Sequence, residues 1–242
     1  MNKDKLIVAN WKMNFLYKDA FKFCKKILSK KKLIKNNFVI CPPTTIILQL
    51  SSKFREINFG AQDCHYEKSG SYTGDISAFM LKNINCKYVI IGHSERRKYH
   101  YEDHIILKKK METVLNTSLI PIYCIGEDVN TKKKGNTKDY LLKQLLNVLP
   151  KKNKKKIIIA YEPIWAIGSG ITPTIDEIWE INLYIKKIIT KINLSYKKTA
   201  ILYGGSVNKD NSLFFLKNNN IDGLLIGGTS LNYNAFSSIL SY

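Results

Sequence analysis

The segment from Ile157 to Pro173 reads IIIAYEPIWAIGSGITP. Its first five residues form a short apolar run rich in β-branched side chains, which predicts a buried strand that ends at Tyr161. Glu162 follows directly, and Pro163 restricts it to extended backbone, so a carboxylate should lie at the rim of the strand. The apolar residues after Pro163 and the two glycines that follow them are typical of a lid that excludes water from a site.

A helix should begin next, because Thr174 and Glu177 have the S/T-x-x-E spacing of a capping box. The same strand–loop–helix order recurs along the chain. Apolar runs predict eight strands, over residues 6–9, 38–41, 57–61, 88–91, 120–124, 157–161, 199–203 and 224–226. Periodic apolar residues predict further helices near residues 18–32, 45–53, 77–83, 102–115, 137–149, 209–218 and 233–240. In the helix near residues 137–149, the predicted apolar face consists of Leu142, Leu145, Leu146 and Leu149.

Strands that alternate with helices imply parallel pairing, and eight such units in a chain of 242 residues imply an α/β fold of the closed (β/α)₈ barrel type. An open doubly wound sheet is the structural alternative. Such a sheet usually has a glycine-rich turn after its first strand, whereas this chain has Asn10, Trp11 and Lys12 there. No linker or change of composition marks a boundary, so we predict one catalytic barrel domain over residues 1–242.

The composition is that of a globular protein, with 45% hydrophobic and 24% charged residues. No apolar run approaches the length of a membrane span or has the form of a signal peptide. We therefore expect a cytoplasmic protein without a membrane partner. The five cysteines include no C-x-x-C pair, which indicates reduced and mostly buried thiols rather than disulfides or a zinc site.

The chain is strongly basic, with 39 basic and 19 acidic residues and a net charge of +20. Its lysines occur in runs along the whole sequence, without the interleaved aromatic residues of a nucleic-acid interface. We interpret them as a solvated surface that helps to attract an anionic substrate, and we expect no specific nucleic-acid partner. The alternative is a basic nucleic-acid-binding protein that retains a barrel scaffold, which would show salt-dependent binding to DNA or heparin.

In a barrel of this type the active site lies where the strands end. The residues there are Asn10 and Lys12 after the first strand, His93 after the fourth, Cys124 in the fifth and Glu162 after the sixth. The last two strands are followed by glycine pairs, at residues 204–205 and 227–228, whose bare backbone can approach an anion such as a phosphate. We interpret Cys124 as a packing residue. The remaining polar groups do not form a ligand cluster, so no metal is implied.

At this point the chain resembles the triosephosphate isomerase family. The resemblance rests on segments that follow the family order from end to end of the chain: NWKMN at residues 10–14, GAQ at 60–62, IGHSERR at 91–97, CIGE at 124–127, AYEPIWAIG at 160–168, YGGSV at 203–207 and IGG at 226–228. Each motif alone is weak, but the ordered set is specific. It implies interconversion of dihydroxyacetone phosphate and glyceraldehyde 3-phosphate without a cofactor. An isomerase acting on a different small sugar phosphate is the alternative within the same fold.

The resemblance also implies roles for individual residues. Glu162 matches the catalytic base, His93 the neutral imidazole that polarises the substrate carbonyl, and Lys12 the cation that stabilises the charge of the enediolate and the phosphate. Asn10 matches a polar neighbour of the substrate oxygens. The family's phosphate-binding positions correspond to Gly168, Ser206, Gly227 and Gly228. We interpret Glu95 as a partner of the cation or imidazole of this site, with a structural salt bridge as the alternative.

Several positions depart from the family pattern. Asp63 stands where the family usually has asparagine, and Asp75 stands where it usually has a glutamate that can pair with an arginine such as Arg96. Tyr101 replaces a glycine, which puts the local turn in question. In the lid, Ser169 and Ile171 replace the usual threonine and lysine.

The loop from Cys64 to Asp75 resembles the family's interdigitating loop, whose tip enters a second subunit. Thr73 matches the residue that approaches the partner subunit's active site. The resemblance therefore implies a homodimer formed through the loop from Cys64 to Asp75.

Overall fold

The eight strands contain no charged residue, which is expected of strands that are buried on both faces. The computed structural model describes residues 5–168, 172–218 and 220–242. Its strands, β1 to β8, are Leu6–Asn10, Asn37–Cys41, Asn58–Ala61, Tyr88–Ile91, Ile120–Ile125, Ile158–Tyr161, Ala200–Tyr203 and Gly223–Ile226. Each predicted strand boundary lies within one residue of the observed one.

The strands close into a barrel in the order β1 to β8, and every neighbouring pair is parallel. Leu6 in β1 lies opposite Asn37 in β2 on one side and Gly223 in β8 on the other, so the first strand pairs with the last. This closure confirms the (β/α)₈ barrel and excludes the open doubly wound sheet.

Ten helices lie in the described part of the chain. They are, from α1 to α10, Tyr17–Ser29, Thr44–Lys53, Ala78–Asn83, Ser94–Tyr99, His104–Leu115, Val129–Lys133, Thr137–Val148, Ile175–Ile192, Lys209–Lys217 and Tyr233–Leu240. The predicted capping box is confirmed at α8, where the Glu177 amide donates to Thr174 Oγ1 at 3.2 Å and the Thr174 amide donates to Glu177 Oε2 at 2.8 Å. Two helices, α4 and α6, were not predicted, because both are short and polar. No helix among the described residues is long and apolar enough to cross a bilayer.

The predicted apolar face of α7 is partly wrong. Leu145 and Leu149 are buried, but Leu146 is 52% exposed and the buried face also includes the polar Gln144. The reason is a polar contact that the apolar pattern does not reveal. Gln144 receives a hydrogen bond from the Gly126 amide at 3.0 Å and donates one to the Gly126 carbonyl at 3.3 Å, which fixes the rotation of the helix.

All five cysteines are buried and unpaired, as predicted. Burial raises the pKa of the Cys24, Cys64 and Cys86 thiols to about 12. Cys41 and Cys124 belong to the cluster of apolar side chains inside the barrel, and burial raises the pKa of both thiols further. The interpretation of Cys124 as a packing residue is confirmed.

Tyr101 retains the turn that a glycine would normally form. Its φ angle is +55°, in the left-handed region that a bulky side chain rarely adopts. The side chain is 84% exposed, so few contacts compensate for this conformation.

We therefore expect Tyr101→Gly to stabilise the protein by about 0.5–1 kcal/mol, because relief of left-handed strain exceeds the entropy that glycine adds to the unfolded chain. Equilibrium urea unfolding measures the change. The matched control is Tyr99→Gly, which removes an exposed tyrosine from the end of α4 and should leave stability unchanged or lower. A destabilised Tyr101→Gly variant would contradict the interpretation.

Candidate active site

The structure brings every residue proposed for the site to one cavity of about 340 Å³, at the end of the barrel where the strands end. These residues are Asn10, Lys12, His93, Glu162, Gly168, Ser206, Gly227 and Gly228. Asn208 and Thr229 also line the cavity and were not predicted. Both lie within four residues of a glycine pair, which is the sequence signal that could have indicated them.

Glu162 is 3% exposed, and two glycines make room for it. A Cβ atom at Gly126 would lie 1.8 Å from the carbonyl oxygen of Glu162, and one at Gly204 would lie 2.7 Å from its Cγ atom. The backbone on both sides is fixed, since the Glu162 amide donates to the Ile125 carbonyl at 2.7 Å and the Gly204 amide donates to the Tyr161 carbonyl at 2.8 Å. Neighbouring strands therefore hold the backbone of Glu162 in place, and the two glycines leave room for it.

His93 lies immediately before α4 and faces Glu162. Its Nδ1 atom accepts a hydrogen bond from the Glu95 amide at 3.2 Å, so this nitrogen carries no proton. The proton of the neutral imidazole is therefore on Nε2, which lies 3.5 Å from Glu162 Oε1. The ring is positioned to donate a hydrogen bond to a ligand in the cavity.

Lys12 has a φ angle of +52°, a strained conformation that surrounding contacts maintain. Its amide donates to Asn10 Oδ1 at 3.1 Å, and its carbonyl accepts from Gln62 Nε2 at 2.8 Å. The ammonium group lies 2.7 Å from Glu95 Oε1. This ion pair confirms that Glu95 contacts the cation of the site. Its other oxygen, Oε2, lies 3.6 Å from His93 Nδ1.

The two glycine pairs lie side by side at the cavity wall. The Thr229 hydroxyl donates to the Val207 carbonyl at 2.6 Å and so joins the loop after β8 to the loop after β7. The Ser206 hydroxyl donates to the Ala166 carbonyl, which joins the same wall to the segment after Glu162. These contacts fix the position of the bare backbone at the glycine pairs, which suits an anionic group such as a phosphate.

A second network holds the segment that follows Glu162. Trp165 Nε1 donates to Glu127 Oε1 at 2.8 Å, and the Tyr161 hydroxyl lies 3.2 Å from Glu127 Oε2. Lys132 Nζ lies 3.5 Å from the centre of the Trp165 ring and 3.2 Å from Glu177 Oε1. The predicted departures Ser169 and Ile171 lie outside the described residues.

The carboxyl group of Glu127 is 1% exposed, and this burial raises its pKa. Hydrogen bonds from the Trp165 indole and the Tyr161 hydroxyl act in the opposite direction but do not reverse the shift. The sequence placed Glu127 in a motif without indicating this role.

Arg96 has partners that the sequence did not indicate. It contacts Asp63 Oδ2 at 2.9 Å and Glu102 Oε1 at 2.8 Å, whereas the possible pairing with Asp75 does not occur within the chain. Lys110 Nζ completes a compact group of two cations and two anions, at 2.7 Å from Asp63 and 2.6 Å from Glu102. Asp75 instead lies 3.7 Å from His65 Nε2. The substitution at residue 63 therefore supplies a carboxylate that the buried Lys110 and the half-buried Arg96 share.

Within the described ranges, no group of three or more histidine, cysteine, aspartate or glutamate residues could hold a metal ion.

Comparisons with known proteins agree with this geometry. The family model "Triosephosphate isomerase" matches residues 5–242. The triosephosphate isomerase of Dictyoglomus thermophilum is 42% identical and that of Aquifex aeolicus is 39% identical, each with 98% of both chains covered. The crystal structure of triosephosphate isomerase from Bartonella henselae superimposes with a TM-score of 0.88 at 33% identity and 98% coverage of both chains. The chain is an isomerase that belongs to the triosephosphate isomerase family.

Proposed function

We propose that the protein interconverts dihydroxyacetone phosphate and D-glyceraldehyde 3-phosphate by proton transfer through an enediolate, with Glu162, His93 and Lys12 as the catalytic residues. The observation that carries this mechanism is the position of three chemically different groups around one cavity. A buried carboxylate lies 3.5 Å from a neutral imidazole, and an ammonium group lies beside the same cavity. Triosephosphate isomerases are themselves an established example of this pairing of a glutamate base with a neutral histidine.

Glu162 acts as the base. Its carboxylate takes a proton from one carbon of the substrate and returns it to the neighbouring carbon, while the hydroxyl proton passes from one substrate oxygen to the other, so the reaction is a net isomerisation that needs no cofactor. His93 donates the Nε2–H hydrogen bond to the oxygen on which negative charge develops, and Lys12 stabilises the same charge electrostatically. Asn10 supports this arrangement, because its side chain accepts the Lys12 amide in the strained turn.

The phosphate group of the substrate occupies the wall formed by the glycine pairs. Ser206, Gly227 and Gly228 provide the backbone N–H groups that receive it, and Gly168 approaches from the lid. Closure of the lid excludes water from the enediolate. Because Glu127 and Lys132 hold Trp165 near the start of the lid, we propose that these contacts break or rearrange as the lid closes.

We further propose a homodimer formed through the loop from Cys64 to Asp75. His65 stacks between Tyr66 and Tyr72, with ring centres 4.2 Å apart in both pairs, so the base of this loop is ordered within one chain. A hollow of about 370 Å³ lies next to the active site, bounded by Lys12, His93 and the 96% exposed Met13. A loop tip from a second copy would cover this hollow and the exposed apolar side chain.

The catalytic unit is the single barrel domain of residues 1–242, and its proposed location is the cytoplasm. The absence of a specific nucleic-acid partner stays a prediction.

Glu162→Asp tests the catalytic base. The substitution keeps the charge but withdraws the carboxylate by one methylene, and misplacement by about 1 Å at a reacting centre costs about 10²-fold in rate. We expect kcat to fall by about this factor in a coupled assay with glyceraldehyde 3-phosphate. Glu56→Asp, at an exposed position at the opposite end of the barrel, is the matched control and should retain full activity. A fully active Glu162→Asp variant would rule out this role.

Glu127→Gln tests the buried carboxylate at the lid. The pKa of the Glu127 carboxyl group is higher in the native state than in the unfolded chain, so the native state binds this proton more tightly. Stability therefore falls as pH rises from the unfolded pKa through the native one and stays lower above it.

The glutamine oxygen still accepts the Trp165 hydrogen bond but carries no charge. We expect the gain in the free energy of unfolding from Glu127→Gln to be larger near pH 7 than near pH 4, as measured by urea unfolding. The exposed control Glu56→Gln should show no such pH-dependent gain. An equal gain in the free energy of unfolding at both pH values would show that the buried carboxylate charge does not destabilise the native state.

Thr73→Arg tests the dimer. Sedimentation velocity should give about twice the chain mass of 27.9 kDa for the wild type and a shift towards the monomer for Thr73→Arg, because a bulky cation replaces a small side chain at the loop tip. The control Ser52→Arg changes an exposed residue of α2 and should stay dimeric. A fully active wild-type monomer would contradict the proposal.

A further inference from the structure

The two ends of the barrel differ in charge, because one is nearly balanced and the other is strongly basic. The segments that lead from the strands to the main helices, at the end that holds the active site, contain eight basic and nine acidic residues when the short helices α4 and α6 are included. The segments that lead into the strands, at the opposite end, contain fourteen basic and two acidic residues, counted over Lys5 and residues 30–36, 54–57, 84–87, 116–119, 149–157, 193–199 and 218–222. In the sequence the lysines are spread along the chain, and the fold places 14 of the 39 basic residues in the segments at this end. We refer to these entering segments as the basic end.

Most of these cations point to solvent without an acidic partner. Lys5 and Lys155 donate to backbone carbonyl groups and are therefore committed to the fold. Among the described residues, none of the other cations of the basic end lies within 4 Å of a carboxylate. The sequence explains this, because it contains no aspartate or glutamate at positions 140–161 or 181–209.

The densest part of the basic end consists of two neighbouring loops. The Tyr196 hydroxyl donates to the Pro150 carbonyl at 2.9 Å, and Asn193 Nδ2 donates to the Asn153 carbonyl at 3.0 Å. These contacts hold the loops before β6 and β7 together. They place six exposed lysines on one surface: Lys151, Lys152, Lys154, Lys156, Lys197 and Lys198.

Two exposed leucines lie among the lysines. Leu33, in a 3₁₀ turn before β2, is 60% exposed, and Leu194, in a 3₁₀ turn before β7, is 81% exposed. They are the large apolar side chains that are exposed in the described part of the basic end. In the closed order, β8 and β1 lie between β7 and β2, so the two turns are three strand spacings apart, or about 14 Å along the barrel wall. A flat partner can contact both turns at once.

We propose that the basic end is a docking surface for an anionic lipid membrane, on which the protein sits peripherally with Leu33 and Leu194 entering the interface. Clusters of four to eight lysines or arginines suit anionic lipid headgroups, and a basic patch combined with apolar insertion gives reversible attachment. This proposal replaces the expectation that the protein has no membrane partner. It does not depend on the catalytic mechanism, because the docking surface lies at the end of the barrel remote from the active site.

A nucleic acid is the less suitable polyanion. Among the described residues at this end, Phe54 and Tyr196 are buried, which leaves Tyr242, 42% exposed after α10 and beside residues 35–36, as a single aromatic side chain that could stack on a base. Arg55 is the single arginine of the basic end, so only one side chain there has a guanidinium group that can donate two hydrogen bonds to one phosphate. The exposed leucines have no role on a phosphate backbone but do have one at a lipid surface.

The test is co-sedimentation with phosphatidylcholine vesicles, with and without phosphatidylserine, at about 0.1 M salt. We expect the wild type to bind only the vesicles that contain phosphatidylserine, and to be released as salt is raised. Equal binding to both kinds of vesicle would overturn the proposal, as would no binding to either. Binding to a DNA duplex of mixed sequence, without binding to vesicles, would also overturn it and would identify a nucleic acid as the partner.

Two variants with the same net charge show whether vesicle binding depends on where the lysines lie. The first removes four lysines of the basic end: Lys151→Gln, Lys154→Gln, Lys197→Gln and Lys198→Gln. The control removes four exposed lysines from the flanks of the barrel: Lys22→Gln, Lys25→Gln, Lys108→Gln and Lys143→Gln. Since each lysine near an anionic surface contributes about fivefold in affinity, the loss of four lysines should weaken binding of the first variant roughly 600-fold, whereas the control should bind nearly as well as the wild type. Equal loss in both variants would overturn the proposal, because it would indicate attraction by net charge alone.

The leucines are tested by the double variant Leu33→Ser and Leu194→Ser. We expect it to bind vesicles at least about tenfold more weakly at unchanged net charge, because the apolar contribution is lost. Unchanged binding would contradict the insertion of these side chains. Isomerase activity should be the same as that of the wild type in all three variants, which shows that each one has folded.

Discussion

All eight strands run in the same direction, and this constraint determines what the rest of the molecule can be. Because the chain must leave every strand at the same end of the barrel, residues far apart in sequence meet there. Lys12 follows β1, His93 follows β4 and Glu162 follows β6, yet all three line one cavity. The same constraint removes charge from the strands, since each is buried between the barrel interior and the surrounding helices. Ionisable groups are left for the loops and helix surfaces.

The location of the charged residues, on loops and helix surfaces, changes the interpretation of the large positive net charge. The sequence suggested a field that attracts an anionic substrate, but most of the excess lies on the helices and at the end of the barrel remote from the site. A five-residue strand is about 16 Å long, which exceeds the screening length of about 8 Å at physiological salt. The field inside the cavity is therefore set mainly by nearby groups, among which Lys12 lines the cavity itself. The strained turn at Lys12 is maintained by Asn10 and Gln62, so the position of this charge depends on two neighbouring strands.

The sequence predicted the barrel well because uncharged runs and helical periodicity are local signals. It also predicted the residues of the cavity, since their positions after strands are enough to bring them together. What it did not predict depends on contacts between distant residues. The rotation of α7 is fixed by Gln144 at the Gly126 backbone. The short helix α4 is anchored by Arg97, which donates to the carbonyls of Gly92 and Cys124 at 2.8 and 2.9 Å. The partner of Arg96 is Asp63 rather than Asp75, and sequence separation gives no means of choosing between them.

The buried cysteines have a consequence for how the protein survives oxidation. A thiol reacts with oxidants and alkylating agents as its thiolate, and burial keeps all five thiols protonated and inaccessible in the native state. Unfolding removes that protection from all five at once. The folded protein therefore tolerates an oxidising solution, whereas the unfolded chain forms disulfides and sulfenic acids that the barrel has no space to accommodate. We therefore expect a reductant to increase the recovery of folded protein after unfolding, and the redox state of the surroundings to have little effect on the folded enzyme.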